Sequence, residues 1–206
     1  MLGFWGWPFG SEDAPLKACR AALSIRQKFA EFHNSENHEL KDFRVGVGVA
    51  HGRAVAGKVE TVGRLSVTVF GPIVNLASRL ESMTKKLQVP ILLDEPTSEL
   101  ARSGLMQDEG RVRRLAKVQP YGMDTPLVVS ELVPPFGSFS ELTDEQLTTY
   151  EQGVDAFIAG DWEQAYQSLH AVPASDRAQD FLLALITQHN RTAPVNWHGV
   201  IELPSK

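Results

Sequence analysis

The segment from residues 64 to 81 limits the possible folds more strongly than any other part of this 206-residue chain. It places β-branched residues before Gly71 and apolar residues at helical spacing after it, in the order Arg-Leu-Ser-Val-Thr-Val-Phe-Gly-Pro-Ile-Val-Asn-Leu-Ala-Ser-Arg-Leu-Glu. This pattern predicts a strand over Leu65–Phe70, a glycine turn, and an amphipathic helix from Pro72 to about Leu87. The chain must therefore join a strand directly to a helix with one buried face.

Two polar side chains share another face of that predicted helix. Asn75 and Arg79 are four residues apart, so they lie side by side. The pair suits phosphoryl transfer, because a guanidinium can neutralise charge on phosphate oxygens and an amide can orient a sugar or an attacking hydroxyl. From spacing alone, the simpler interpretation is a surface helix with an incidental asparagine and a salt-bridged arginine.

The remainder of the first two thirds alternates strand and helix patterns. A helix is predicted to begin at Ser11–Pro15, and another runs from Asp94 to Gly104. The glycines between Phe43 and Ala50 remove side chains from one strand face, so something can approach the backbone there closely. Further strands are predicted over Met1–Trp5, Phe43–Ala50, Arg53–Val59, Val89–Leu93, Arg111–Val118 and Leu127–Val133. This order indicates an α+β, ferredoxin-like fold.

The composition changes after the linker signal Pro-Pro-Phe-Gly at residues 134–137. Three helices are predicted, over Thr143–Ala159, Trp162–His170 and Asp176–His189. The first two resemble a single tetratricopeptide-type helix pair, which cannot form a stable solenoid alone and should pack on the main domain or on a partner. We therefore expect a main domain over residues 1–133, a linker over 134–142 and a helical extension over 143–206.

Charge and composition exclude several classes of function. The net charge of −5 argues against sequence-independent nucleic-acid binding, which needs a basic face. Cys19 is the single cysteine, so no internal disulfide can form, and its helical pattern predicts a small core residue. No apolar run approaches the roughly 20 residues of a membrane span. We expect a cytoplasmic chain without a membrane segment.

The motif order resembles one known family. A glycine-rich strand, a hairpin, Arg-Leu-x-x-Thr-Val-x-Gly and then Val-Asn-Leu-Ala-x-Arg-Leu-Glu are similar to class III adenylate and guanylate cyclases, as is the later Val-Pro-Ile-Leu-Leu-Asp-Glu. The resemblance covers most of residues 1–133 and is most specific over residues 64–81. It implies a palm-type cyclase domain, a phosphorus–oxygen lyase that forms cyclic AMP in intracellular signalling. The tail looks like the helical extension behind many bacterial cyclase domains.

The resemblance also implies roles for four residues. Asn75 would position the ribose, and Arg79 would stabilise the transition state. Thr68 would read the purine, where threonine favours ATP over GTP, and Arg44, at the start of the glycine-rich strand, would contact the phosphates. The alternatives are an ordinary strand threonine for Thr68 and a surface charge at a strand end for Arg44.

Members of the resembled family bind two metal ions, Mg²⁺ or Mn²⁺, through two aspartates. The resemblance places these ligands, with the first strand and helix of the domain, upstream of Met1, and neither Asp13 nor Asp42 fits the ligand motif. The family's sites form at a homodimer interface, where one subunit gives the aspartates and the other gives Asn and Arg. We therefore expect this chain alone to be inactive.

Three hypotheses follow from these patterns. The chain is part of a catalytic adenylate cyclase whose full-length protein is cytoplasmic or tethered to a membrane. Alternatively, it is a non-catalytic, cyclase-like regulatory module that binds a second copy or a full-length cyclase. In the third hypothesis only the palm-like fold is shared, and the chain does unrelated work.

Overall fold

The structure is a computed structural model of the chain and describes residues 1–35, 38–61, 64–138 and 140–204. Phe139 of the predicted linker and the last two residues of the predicted extension lie outside the described residues. The helices in the described part are α1 (Ala14–His33), α2 (Pro72–Leu87), α3 (Glu95–Gly104), α4 (Asp144–Ala159), α5 (Trp162–His170) and α6 (Gln179–Gln188). The strands there are β1 (Val47–Val49), β2 (Val55–Thr61), β3 (Arg64–Phe70), β4 (Ile91–Leu93), β5 (Arg111–Pro120), β6 (Leu127–Val133) and β7 (Ile201–Leu203).

Five of these strands form one mixed sheet in the order β1-β4-β6-β5-β7. The β1–β4 and β5–β7 pairs are parallel, whereas β4–β6 and β6–β5 are antiparallel. Strands β2 and β3 form a separate antiparallel hairpin between β1 and α2 in the chain. The predicted α+β fold class is confirmed.

Helices cover both faces of the five-stranded sheet. Because successive side chains of a strand point to opposite faces, Ile91 and Leu93 pack with Cys19 of α1, whereas Leu92 packs with Leu80 of α2. Helices α1 and α3 therefore cover one face, and α2 with the C-terminal helices covers the other. All of these apolar side chains are fully buried.

The bare glycine face of β1 lies against α2, so the close approach to its backbone that the glycines predict is made by a helix. A Cβ atom added to Gly48 would lie 2.5 Å from the Glu81 backbone nitrogen and even closer to the Ala77 carbonyl oxygen. Gly46 faces the Thr84 side chain in the same way. The missing side chains let the helix backbone rest directly on the strand, which sets the position of α2 and of the polar residues it carries.

Two predicted strands differ from the structure. Met1–Trp5 is not a strand but an exposed segment, because no described residue pairs with it and an isolated extended segment has no ladder to hold it. The strand predicted over Phe43–Ala50 is confined to Val47–Val49, since its partner β4 offers only three residues for pairing. Arg44 consequently precedes the strand instead of opening it.

The C-terminal residues build part of the same structure. Helix α4 packs against β5, and side chains of α4, α5 and α6 join the buried cluster that contains Leu80. The last predicted helix begins at Gln179 instead of Asp176, because the Asp176 carboxylate binds an arginine of the sheet from the loop. Strand β7 was not predicted at all. Within the described residues, no helix combines the length and the apolar character that a membrane crossing requires.

Candidate active site

Helix α2 presents both residues of the predicted catalytic pair near the protein surface. Its buried side is formed by Leu80, Met83, Thr84 and Leu87. Asn75 is exposed and Arg79 is half-buried, on the turns that precede this buried stretch. The amide and the guanidinium are thus both at the surface, and their spacing of four residues puts them on one face of the helix.

Among the residues that the structure describes, the guanidinium of Arg79 has one hydrogen-bond partner. Its Nη1 donates a hydrogen bond of 2.7 Å to the carbonyl oxygen of Tyr121, in the turn between β5 and β6. A guanidinium has five N–H donors, so this contact leaves the others available. The sequence gives no signal for this partner, since Tyr121 is 42 residues away.

Thr68 lies in the middle of the β2–β3 hairpin. It is half-buried and directly opposite Gly57, where an added Cβ would meet nothing within 4 Å. Val55 and Phe70 are paired on the same hairpin face and are 73% and 61% exposed. Thr68 therefore adjoins an open notch on an apolar, uncovered surface.

The four predicted residues are not joined in one pocket within the described part of the chain. Arg44 is exposed in the segment before β1. In the described part of the chain, no hydrogen bond or ion pair joins any two of Arg44, Thr68, Asn75 and Arg79. Two shallow grooves, of about 520 and 500 Å³, lie elsewhere, and neither is lined by any of the four. The four residues are thus exposed or half-buried, and neither groove brings them together.

The described residues do not fit a divalent metal. They contain no group of three or more His, Cys, Asp or Glu side chains placed to hold an ion. Asp13 is paired with Lys17 at 2.9 Å at the start of α1, which is a helix-end contact.

A buried ionic cluster, the Arg113 cluster, was missed by sequence reasoning. Arg113 of β5 donates to Asp176 at 2.5 and 2.7 Å and to Glu131 of β6 at 2.6 and 2.9 Å. Its Cζ lies 4.6 Å from the centre of the Tyr150 ring. Burial by itself would lower the pKa of Arg113, but the charge of Glu131 and the hydrogen bond to Asp176 raise it. The cluster is a structural one, because its side chains are sealed from solvent.

Comparison with known proteins assigns the chain to a family. The sequence profile described as the adenylate and guanylate cyclase catalytic domain matches residues 6–115. Adenylate cyclase 1 of Rhizobium meliloti is 31% identical over 137 residues, which are 65% of this chain and 19% of that protein. An adenylate cyclase of Anabaena cylindrica is 34% identical over 83 residues, which are 38% of this chain and 16% of that protein. The chain thus spans less than a fifth of the length of these relatives.

A solved structure supports the fold. The adenylyl cyclase CyaB from P. aeruginosa has a TM-score of 0.50 and 19% sequence identity to this chain, covering 66% of this chain and 68% of that one. At this identity the likeness concerns the fold alone. The family profile, however, covers just over half of the 206 residues and includes α2 with Asn75 and Arg79. The chain therefore belongs to the adenylate and guanylate cyclase catalytic domain family.

Proposed function

We propose that this chain supplies the asparagine and the arginine of an adenylate cyclase site that converts ATP to cyclic AMP and pyrophosphate in signal transduction. In this reaction the 3′-hydroxyl oxygen of ATP bonds to the α-phosphorus, and the bond from that phosphorus to the pyrophosphate oxygen breaks. The hydroxyl proton is released. The observation that carries the proposal is the shared, accessible face of Asn75 and Arg79 on α2, inside the region that matches the family.

Each residue has a role that follows from its chemistry. The Arg79 guanidinium binds the phosphate oxygens of ATP and neutralises the further charge that develops on them during the reaction, a contribution worth about 10³ or more in rate for well-placed arginines. The Asn75 amide orients the ribose so that its hydroxyl faces the phosphorus. Thr68 reads the purine beside the open space at Gly57. Arg44 contacts the phosphates. ATP is the preferred substrate over GTP in this proposal.

A second polypeptide completes the site. Each of the four residues is exposed or half-buried, and the described residues offer no metal-binding group, although cyclases of this family generally use divalent ions. Val55 and Phe70 leave apolar area uncovered on the hairpin beside α2, which is typical of a surface that another chain covers. We propose a homodimer or a full-length cyclase as the partner, and an isolated chain without cyclase activity.

Nucleotide binding to the whole chain tests the roles directly. Arg79→Ala should weaken ATP binding in calorimetry by about 10- to 100-fold, the value of charge-assisted hydrogen bonds. Lys85→Ala is the matched control, since it removes the same charge from an exposed position on the same helix. Thr68→Ala should reduce the preference for ATP over GTP. Equal ATP affinity in the wild type and in Arg79→Ala would contradict the proposed role.

One alternative is a non-catalytic module that regulates a cyclase through the hairpin surface, and it is supported by the lack of a metal-binding group among the described residues. Mixing the chain with a full-length cyclase separates the two functions. If the chain supplies catalytic groups, Arg79→Ala should lower cyclic AMP formation by the mixture, and Val55→Asp should do so by weakening assembly. If the chain only regulates, Val55→Asp alone should change the rate.

A further inference from the structure

The turn between β5 and β6 contains the intramolecular partner of Arg79. The Met123 nitrogen donates to the Pro120 carbonyl oxygen at 3.0 Å, which closes a four-residue β-turn. The Gln119 side chain donates to the Met123 carbonyl at 2.9 Å and supports the end of this turn. The hydrogen bond from Arg79 goes to the backbone carbonyl oxygen of Tyr121, and Tyr121 as a residue is 72% exposed.

Gly122 decides which way that carbonyl points. It is the third residue of the turn and has a φ of +71°, the positive value that type II turns require at this position. Type I and type II turns differ by a flip of the central peptide, here the peptide between Tyr121 and Gly122. A residue that disfavours positive φ would favour the type I form, and the Tyr121 carbonyl would then turn away from Arg79.

The contact reduces the freedom of a long side chain. Free arginine side chains have substantial rotamer entropy, which a ligand must overcome when it orders them. The bond from Nη1 to Tyr121 orders the guanidinium before any ligand arrives, while Nη2 lies near Gly122 and keeps its donors. An arginine ordered in this way binds a phosphate group at a lower entropic cost.

We infer that Gly122 is a positioning residue, which orients the Tyr121 carbonyl so that Arg79 is held ready for the polyphosphate of the nucleotide. The inference rests on the proposed function of Arg79. It adds a second segment of the chain, the Pro120–Met123 turn, to the elements that build the site.

A second turn in the same chain provides a matched control. In Pro135–Ser138 the Ser138 nitrogen donates to the Pro135 carbonyl at 3.1 Å, and Gly137 has a φ of +78° at the third position. Both turns have a proline, an aromatic residue and a glycine at their first three positions. An added Cβ would meet nothing within 4 Å at Gly137 and only Arg79 Nη2, at 3.8 Å, at Gly122. Alanine thus strains both backbones alike without a clash.

The experiment compares Gly122→Ala, Gly122→Asn and Gly137→Ala in the full chain. Nuclear magnetic resonance of the arginine side chain reports whether rotation of the Arg79 guanidinium is restricted, and calorimetry measures binding of inorganic tripolyphosphate. We expect restricted rotation in the wild type and in Gly137→Ala, and averaged signals in Gly122→Ala. Tripolyphosphate affinity should fall about threefold to tenfold in Gly122→Ala, the value of one hydrogen bond. Asparagine tolerates positive φ, so Gly122→Asn should restore both readouts.

The outcomes separate this inference from the proposed function. If Arg79→Ala weakens tripolyphosphate binding but Gly122→Ala behaves like Gly137→Ala, the positioning role is wrong and the role of Arg79 stands. If Arg79→Ala leaves binding unchanged, both are wrong. Freely rotating Arg79 in the wild type, or tighter binding in Gly122→Ala, also overturns the inference. Tyr121→Ala keeps the carbonyl and should retain wild-type affinity.

Discussion

At the scale of single residues, Glu109 has a carboxylate whose ionised form is strongly stabilised by hydrogen bonds. It accepts hydrogen bonds from Arg20 at 2.7 and 3.0 Å and from the Met106 nitrogen at 3.1 Å. The hydrogen bond from Arg20, followed by the one from Met106, lowers the pKa of Glu109 to about 2. This bidentate pair fastens the loop before β5 to α1.

The pair predicts a defined dependence of stability on pH. Because the pKa of Glu109 is lower in the folded chain than its ordinary value of 4.5, its contribution to stability is complete above that value and is lost as the pH falls towards about 2. Glu109→Gln should therefore be less stable than the wild type at neutral pH, and the difference should vanish near pH 2. Urea unfolding at several pH values measures this. Arg20→Ala should show the same trend, and a gap that persists in acid would contradict the assignment.

Asp94 has a pKa that is shifted in the opposite direction from that of Glu109, because burial is the largest influence on it. It caps α3 by accepting from the Thr97 nitrogen at 3.0 Å and from the His51 nitrogen at 3.2 Å. Burial raises the pKa of Asp94 although these hydrogen bonds oppose the shift. A raised pKa in the folded state favours folding below the ordinary value of 3.8, and this contribution is lost as the pH rises through the folded-state pKa.

Two substitutions of Asp94 separate the cap from the charge. Asp94→Asn keeps a capping oxygen and removes the buried charge, so at neutral pH it should be at least as stable as the wild type. Asp94→Ala removes the cap and should cost about 1–2 kcal/mol in the free energy of unfolding. Chemical denaturation measures both. A large destabilisation by asparagine would show that the ionised form is needed.

At the scale of elements, the contact between β1 and α2 determines where the candidate site lies. Gly48→Ala would push a Cβ into the α2 backbone at Ala77 and Glu81, and overpacking of this kind costs about 1–3 kcal/mol or more. Gly57→Ala in β2 is the control, because its Cβ would meet nothing within 4 Å. We expect only Gly48→Ala to lower the midpoint of thermal unfolding. Equal effects of the two would mean that α2 can shift away from the strand.

The sequence predicts these elements because their signals are local. The apolar spacing and first-turn proline of α2 and the Gly48 pattern of β1 are all contained within short windows. The strand prediction for Met1–Trp5 is wrong for the opposite reason, since an apolar segment becomes a strand only when a neighbouring strand pairs with it. Strand β7 is not predicted for a related reason. Ile201–Leu203 becomes a strand because it pairs with β5, about eighty residues earlier in the chain.

At the scale of the whole molecule, the Arg113 cluster joins the cyclase-type sheet to the C-terminal helices. Asp176 comes from the loop before α6 and Tyr150 from α4, whereas Glu131 comes from β6. The apolar cluster that contains Leu80 likewise continues from α2 into the C-terminal helices. We propose that residues 143–204 and the sheet unfold together, in a single transition.

Removing one charge from this cluster should be costly. Asp176→Ala leaves the fully buried Arg113 without its bidentate partner, which predicts a loss of about 3–5 kcal/mol in the free energy of unfolding. Asp155→Ala breaks the more exposed pair with Arg114 and should cost less than about 1 kcal/mol. Unfolding in guanidinium chloride, monitored by tryptophan fluorescence, compares the free energies of unfolding of the two variants. Similar small losses would indicate that the extension is attached by apolar contacts alone.

The sequence by itself determined the α+β class, the helix that carries Asn75 and Arg79, and the family. The helix and the family depend on neighbouring residues in one segment, and the class depends only on the order of such local segments along the chain. Only the tertiary structure decided that Tyr121 holds Arg79, that Arg113 is buried with Asp176, and that β7 extends the sheet beside β5. These contacts join residues 42, 63 and about 80 positions apart. Their existence depends on how the packed elements bring distant groups together, and no local pattern of side chains encodes that arrangement.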